Sequence, residues 1–284
     1  MRRVERAGYS LVVEEHGPPE APACILSHSL GSDRRMWRPQ VEGLAEAYRL
    51  ITYDHPGHGQ SSRPERMGDI GDFGRDALAV ADACGVGRFV FAGVSLGGMV
   101  GLWLAAHAGE RVRHLVASNT AARIPDSSLL RARIALLRRE PVEAIADNVI
   151  ERWLTVGFRR KQPQVEALCR QMLNDCGAPA YADTAGMICN MDLRPELASI
   201  DRPCTILVGE YDRATPAAWG RDLAARISSA QCQTLASAHL GNIEAAGVFN
   251  RALIKALGHV AGHLLPPNPH TNGETVCRNQ RETP

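Results

Sequence analysis

The sequence predicts an α/β fold: a mostly parallel, doubly wound sheet with a helical lid inserted before its last two strands. Three observations carry this. Short apolar runs alternate with helical patterns from residue 24 to residue 118, the rhythm of parallel βαβ units. Strand character then stops over residues 122–193 and returns at residues 204–208. In between, the wholly apolar run 89–92 reads as a strand buried on both faces and passes directly into a tight turn and a helix.

That turn is Gly93-Val94-Ser95-Leu96-Gly97, a G-x-S-x-G pattern in the strand–turn–helix context it requires. A serine in a strained strand-to-helix turn needs neighbours with almost no side chain, which Gly93 and Gly97 supply. The helix start offers free N–H groups and a positive dipole end, both suited to a developing oxyanion.

Taken in order, residues 9–15 read as an edge strand closed by Gly17-Pro18-Pro19, and residues 24–27 as the first buried strand. The small-residue loop His28-Ser29-Leu30-Gly31-Ser32-Asp33 follows at a strand end, where such sheets bind ligands; the Leu30 N–H is the candidate second oxyanion donor. Residues 36–47 read as a helix, 50–53 as a strand, 72–84 as a helix and 113–118 as a strand. His55 and His58 lie in the Gly/Pro turn 54–61 without a third ligand at metal spacing, so local hydrogen bonding is expected and no metal. The insert carries three helical patterns, 127–139, 142–154 and 164–176. From Arg111 to Arg170 it holds twelve Lys/Arg against six Asp/Glu, which suits either a solvated helix face or an anionic substrate beneath a lid. A strand at 204–208, a helix to about residue 227, a strand at 232–235 and a helix at 243–257 complete the pattern. The expected division is a core of residues 1–121 and 194–258, a lid of 122–193, and a tail of 259–284 that lacks periodicity and is expected to be disordered.

Composition narrows the function classes. A chain of 284 residues suits one large domain with an insertion. A formal charge of +1 gives no basis for nucleic-acid or membrane-surface binding, and no apolar run reaches transmembrane length. The N-terminus is charged, so no signal peptide is expected. The eight cysteines are scattered without a C-x-x-C pair, which reads as reduced thiols in a cytoplasmic protein. Nothing in the pattern speaks to oligomeric state.

A serine nucleophile needs a base, and the base needs an orienting acid. Asp212 lies just past a buried strand and His239 just past the next strand, in the chain order Ser, acid, His. Ser95, Asp212 and His239 are therefore the candidate triad, with Leu30 and Leu96 as oxyanion donors. This is the α/β-hydrolase pattern, and several segments resemble 3-oxoadipate enol-lactonases: residues 28–33 with Met36-Trp37, 93–99, Glu110-Arg111-Val112, Ser118-Asn119-Thr120, Arg152-Trp153-Leu154-Thr155, Asp192-Leu193-Arg194, 212–216 and 238–244. Arg34 and Arg35 depart from the expected pattern, and Val156-Gly157-Phe158 matches loosely. The resemblance implies hydrolysis of a carboxylate-bearing enol-lactone in aromatic-compound catabolism through an acyl-enzyme, with no metal or organic cofactor. The expected partner is thus a small anionic lactone or ester. Ser29, Trp153, Arg34, Arg35, Arg123 and Arg152 are the candidate substrate-binding residues. The rival readings are a general carboxylesterase or other lactonase with the same triad, and a ligand-sensing protein on the same fold.

Overall fold

The computed structural model describes residues 1–261, with the side chains of residues 1–258. Eight strands form one sheet: β1 (Arg2–Arg6), β2 (Tyr9–His16), β3 (Ala23–Ser27), β4 (Arg49–Tyr53), β5 (Phe89–Val94), β6 (Val112–Ser118), β7 (Cys204–Gly209) and β8 (Ala230–Leu235). Their order is β1-β2-β4-β3-β5-β6-β7-β8, antiparallel at the first two pairings and parallel from β4 onward. The helices are α1 (Arg38–Leu44), α2 (Ile70–Ala83), α3 (Leu96–His107), α4 (Ser128–Leu137), α5 (Glu143–Trp153), α6 (Val156–Lys161), α7 (Pro163–Asn190), α8 (Ala217–Arg226), α9 (Gly241–Glu244) and α10 (Ala246–Ala261).

The central strand β5 is buried at every residue, between β3 and β6. Its two phenylalanines are fully buried, each contributing about 1.5–3 kcal/mol from the area removed from water. Helix α3 is apolar around nearly its whole circumference because it lies against β5 and β6 on one side and α2 on the other. Helix α2 starts at a capping box in which Asp69 and Asp72 satisfy each other's backbone N–H groups.

The structure departs from the sequence expectations at several places. The strand at Tyr9 is not the edge, because β1 pairs outside it across the Ala7-Gly8 turn, where Gly8 has φ +85°. Only Val4 of β1 is buried, so this short polar strand has no apolar run to betray it. The helix expected at 36–47 begins as a 3₁₀ turn, Arg34–Trp37, capped by Asp33, and becomes α-helical at Arg38. The insert has four helices rather than three: Thr155 caps the short α6, and α7 runs on to Asn190 across a break at Gly177. There φ is +71° and Pro179 removes a backbone donor, so the sequence pattern reads as a helix end. The last helix divides into α9 and α10, and α10 continues to Ala261, past the expected tail boundary at residue 259; the rest of that expected disordered tail lies outside the described residues.

The tightest packing is at the β5–α3 turn. A Cβ on Gly97 would stand 2.0 Å from the Ser27 carbonyl oxygen, and one on Gly93 would stand 2.1 Å from the Gly97 backbone. Neither neighbour is a flexible side-chain end, so the strain has no cheap outlet. Gly97→Ala is therefore expected to cost at least about 3 kcal/mol of stability, a severe core effect, read as a lowered urea midpoint. An unchanged midpoint would show that β3 and the turn are not packed this closely.

Candidate active site

Ser95 stands at the C-terminal end of β5 and precedes α3, with φ 56° and ψ −111°. Positive φ in a residue with a Cβ costs roughly 1–3 kcal/mol and persists only where the surroundings hold it. They do so here through the Ser95 N–H to Ser118 O bond (2.9 Å) and the Thr120 hydroxyl, which donates to Ser95 O at 2.7 Å. The turn is also tied to the neighbouring strand end, since Gly97 N–H donates to His28 O at 3.1 Å.

Asp212 follows β7 and His239 follows β8, so three strand-end loops converge on one rim of the sheet. His239 Nδ1 lies 2.8 Å from Asp212 Oδ2, and a carboxylate only accepts, so the proton is on Nδ1. Asp212 Oδ2 also accepts from Asn119 Nδ2 (2.9 Å) and the Thr215 hydroxyl (2.7 Å), while Oδ1 accepts from the Ala214 and Thr215 N–H groups. Burial alone would raise the carboxyl's pKa. The His239 imidazole and these donors outweigh it and hold Asp212 below the usual carboxylate range.

Ser95 and His239, 8% and 3% exposed, line one cavity of about 330 Å³ together with Ser29 and Leu30. Leu96 opens α3, so its N–H has no acceptor within the helix. The helical insert roofs the cavity: Leu129, Leu130 and Arg133 come from α4, Val149, Arg152 and Trp153 from α5, and Tyr181 and Ile188 from α7. This roof is bonded to the histidine loop itself. The N–H groups of His239 and Leu240 donate to the Arg152 and Trp153 carbonyls at the end of α5, and Glu244 accepts from Ala238 N–H and Thr155 N–H.

Of the expected substrate-binding residues, Ser29, Trp153 and Arg152 line this cavity, while Arg34, Arg35 and Arg123 do not. Arg34 is committed to Asp54 and Glu14, and Arg35 to Asp33 and Asp175. Arg123 lies in a separate surface groove, 4.0 Å from Asp192. Sequence proximity to the loop after β3 misled here, because the two arginines at its end turn back to structural carboxylates. Beside the expected Arg152 the cavity holds Arg133 and Arg213, and none of the three is ion-paired among the described residues. Arg133 donates to Tyr181 Oη (3.1 Å) and Asn148 Oδ1 (2.5 Å), and Arg152 to the Arg213 carbonyl (2.7 Å). Burial, then the positive charges of Arg133 and Arg213, push the Arg152 pKa down. One carboxylate, Asp126, reaches the cavity wall, where Oδ1 accepts from Ser128 N–H.

Arg133, Arg213, Tyr181, Asn119 and Thr215 were not singled out from sequence. Helix α4 (Ser-Leu-Leu-Arg-Ala-Arg-Ile-Ala-Leu-Leu) is apolar on most faces, so its period does not say which arginine turns inward. Asn119 left one signal, its place in the Ser118-Asn119-Thr120 segment, and Arg213 and Thr215 another, their place in the segment 212–216.

Below the site, His28, His55 and His58 are fully buried with ring centroids 4.3–6.3 Å apart. Among the described residues no three His, Cys, Asp or Glu side chains are grouped to hold a metal ion, and no helix is long and apolar enough to cross a membrane.

The comparisons with known proteins fit this geometry. A family model described as the alpha/beta hydrolase fold matches residues 22–167. 3-Oxoadipate enol-lactonase 2 of Acinetobacter baylyi is 33% identical over 237 residues, which covers 84% of this chain and 89% of that protein. This chain belongs to the 3-oxoadipate enol-lactonase family of α/β hydrolases. Enol-lactonase 1 of the same organism is 34% identical over 239 residues, covering 84% and 90%. The crystal structure of the enol-lactonase from Burkholderia xenovorans LB400 superposes with a TM-score of 0.87 at 34% identity, covering 90% of this chain and 99% of that one. Membership of this enol-lactonase family makes the chain an ester-hydrolysing enzyme.

The buried histidines set an acid limit on the fold. Burial is the largest cause that lowers each pKa from the ordinary 6.5, to about 4 for His28, to about 3 for His58, and well below the ordinary value for His55. The unfolded chain therefore binds protons that the folded chain refuses. Their contribution is fully present above pH 6.5 and is lost as pH falls toward the folded values, by roughly 1.4 kcal/mol per pH unit per histidine. Urea midpoints measured from pH 7.5 to 5 should fall steeply below 6.5; a flat profile would place these histidines in a solvated or charge-paired environment.

Proposed function

We propose that the protein hydrolyses a carboxylate-bearing enol-lactone, 3-oxoadipate enol-lactone to 3-oxoadipate, through an acyl-enzyme on Ser95, as a step in aromatic-compound catabolism. The observation that carries this reading is the cavity: Ser95 and His239 open into the same space as three arginines without carboxylate partners among the described residues. A desolvated anionic ligand needs cations that are not already neutralised, and guanidinium groups grip a carboxylate bidentately.

Each residue then has a step. The Ser95 hydroxyl attacks the ring carbonyl and passes its proton to His239 Nε2, which is free to accept because Nδ1 is committed to Asp212. The Leu30 and Leu96 N–H groups receive the oxyanion. Collapse of the tetrahedral intermediate breaks the ring C–O bond; the enol oxygen leaves with the proton from His239, and the enol tautomerises to a ketone. Water attacks the acyl-enzyme, giving its proton to His239, and the second collapse restores Ser95 and frees the keto acid. Net consumption is one water per lactone, and the chemistry calls on no cofactor.

Two variants test the two halves of the proposal. Ser95→Ala should lower kcat by several orders of magnitude, since removing a triad nucleophile abolishes covalent catalysis. Arg152→Gln should raise KM for the anionic lactone by the worth of a charge-assisted hydrogen bond, about 1.5–3 kcal/mol or roughly ten- to hundredfold, and leave a neutral ester of the same size within about twofold. An equal effect on both substrates would favour a general carboxylesterase, whose pocket has no use for the charge.

A further inference from the structure

The two oxyanion donors share a structural device that their own side chains do not reveal. In a planar trans peptide the C=O and the following N–H point in opposite directions, so whatever fixes the carbonyl fixes the aim of the N–H. The Leu30 N–H shares its peptide with Ser29 O, and the Leu96 N–H shares its peptide with Ser95 O.

Both of these oxygens are held from behind. Ser29 O lies 2.8 Å from His28 Nδ1 and accepts from the Ser32 hydroxyl at 2.9 Å and the Ser32 N–H at 3.2 Å. Ser95 O accepts from the Thr120 hydroxyl at 2.7 Å and from Met99 N–H at 3.0 Å. All three side chains are buried, at 0% exposure for His28 and Ser32 and 2% for Thr120, so solvent cannot substitute for them.

The histidine is fixed at both ends. His28 Nε2 accepts from His55 N–H at 2.9 Å, so it carries no proton, and Nδ1 must be the donor to Ser29 O. Burial keeps the ring neutral down to about pH 4, so this arrangement holds across the neutral range. The His28 carbonyl in turn accepts from Gly97 N–H, which ties the first donor loop to the turn that presents the second.

We propose that His28, Ser32 and Thr120 are positioning residues of the oxyanion hole, aiming the Leu30 and Leu96 N–H groups through the carbonyls of the same peptides. The proposal rests on the Ser95 reading above and gives Thr120 a role within the Ser118-Asn119-Thr120 segment. Donors on a carbonyl also polarise its amide, so the N–H is strengthened as well as aimed.

The test uses substitutions that keep the packing. Thr120→Val is isosteric and leaves Ser95 O one partner, Met99 N–H; Ser32→Ala leaves Ser29 O two. Because His28 also accepts from His55 N–H, its replacement risks misfolding, and the other two variants carry the experiment. Loss of a whole oxyanion donor costs roughly 10²–10³ in kcat, so a misaimed one should cost less. On a neutral aryl ester, Thr120→Val should lower kcat about ten- to hundredfold with KM within about twofold and a nearly unchanged melting temperature, and Ser32→Ala should lower it about three- to tenfold. Thr120→Ser should recover most of the loss, because it restores the hydroxyl without the methyl. The proposal is overturned if Thr120→Val and Ser32→Ala both stay within twofold of the parent while Ser95→Ala is inactive. It is equally overturned if Thr120→Ser is no better than Thr120→Val, which would make the methyl contact the relevant one. Retained turnover in Ser95→Ala would instead sink the nucleophile assignment on which the proposal stands.

Discussion

The contact on which the rest depends is backbone against backbone, where Gly97 at the head of α3 meets the Ser27 carbonyl at the end of β3. It leaves no room for a Cβ, and Gly93 is closed off by Gly97 in the same way. With both glycines in place the chain leaves β5, turns within one residue and enters the helix, so Ser95 is forced to positive φ at the rim. The strain is offset by fully buried neighbours on both sides. The same closeness places the loop after β3 beside the helix start, so the two peptides proposed to receive an oxyanion belong to one rigid unit.

A second constraint acts at the same rim, from the loops after β6, β7 and β8. Asp212 is held by four donors besides His239, among them Asn119, itself at positive φ (49°) on the loop after β6. The histidine loop is pinned to the end of α5 and, through Glu244, to Thr155. Helices over the rim therefore shape the cavity and also hold the His239 loop. Their arginines bring positive charge to a chain whose formal charge is only +1, so the local excess is an arrangement and not a property of composition.

Much of this was legible in the sequence. Apolar runs at β3, β5, β6 and β7 mark strands buried on both faces, and the glycine spacing around Ser95 marks the turn. The meeting of Asp212 and His239 was legible because chain order and strand ends limit the choices. The polar edge strand β1 was not, since only Val4 faces the core. Nor was the course of α7, where Gly177 and Pro179 imitate a helix end. The side-chain contacts were least legible. Arg34 and Arg35 follow the loop after β3 in sequence but close ion pairs with Asp54 and Asp33, while Arg133 and Arg213, distant in sequence, turn toward Ser95's cavity. Which way a long cationic side chain turns is decided by tertiary partners that periodicity does not encode.

The central claim is that the turn makes Ser95, alone among the chain's serines, a nucleophile. Labelling with a fluorophosphonate, which reacts covalently with activated serines, followed by peptide mass spectrometry tests it directly. The account predicts one label per chain, located on Ser95, with activity lost in proportion to labelling. A label on another residue, or full activity in a chain labelled at Ser95, would contradict it.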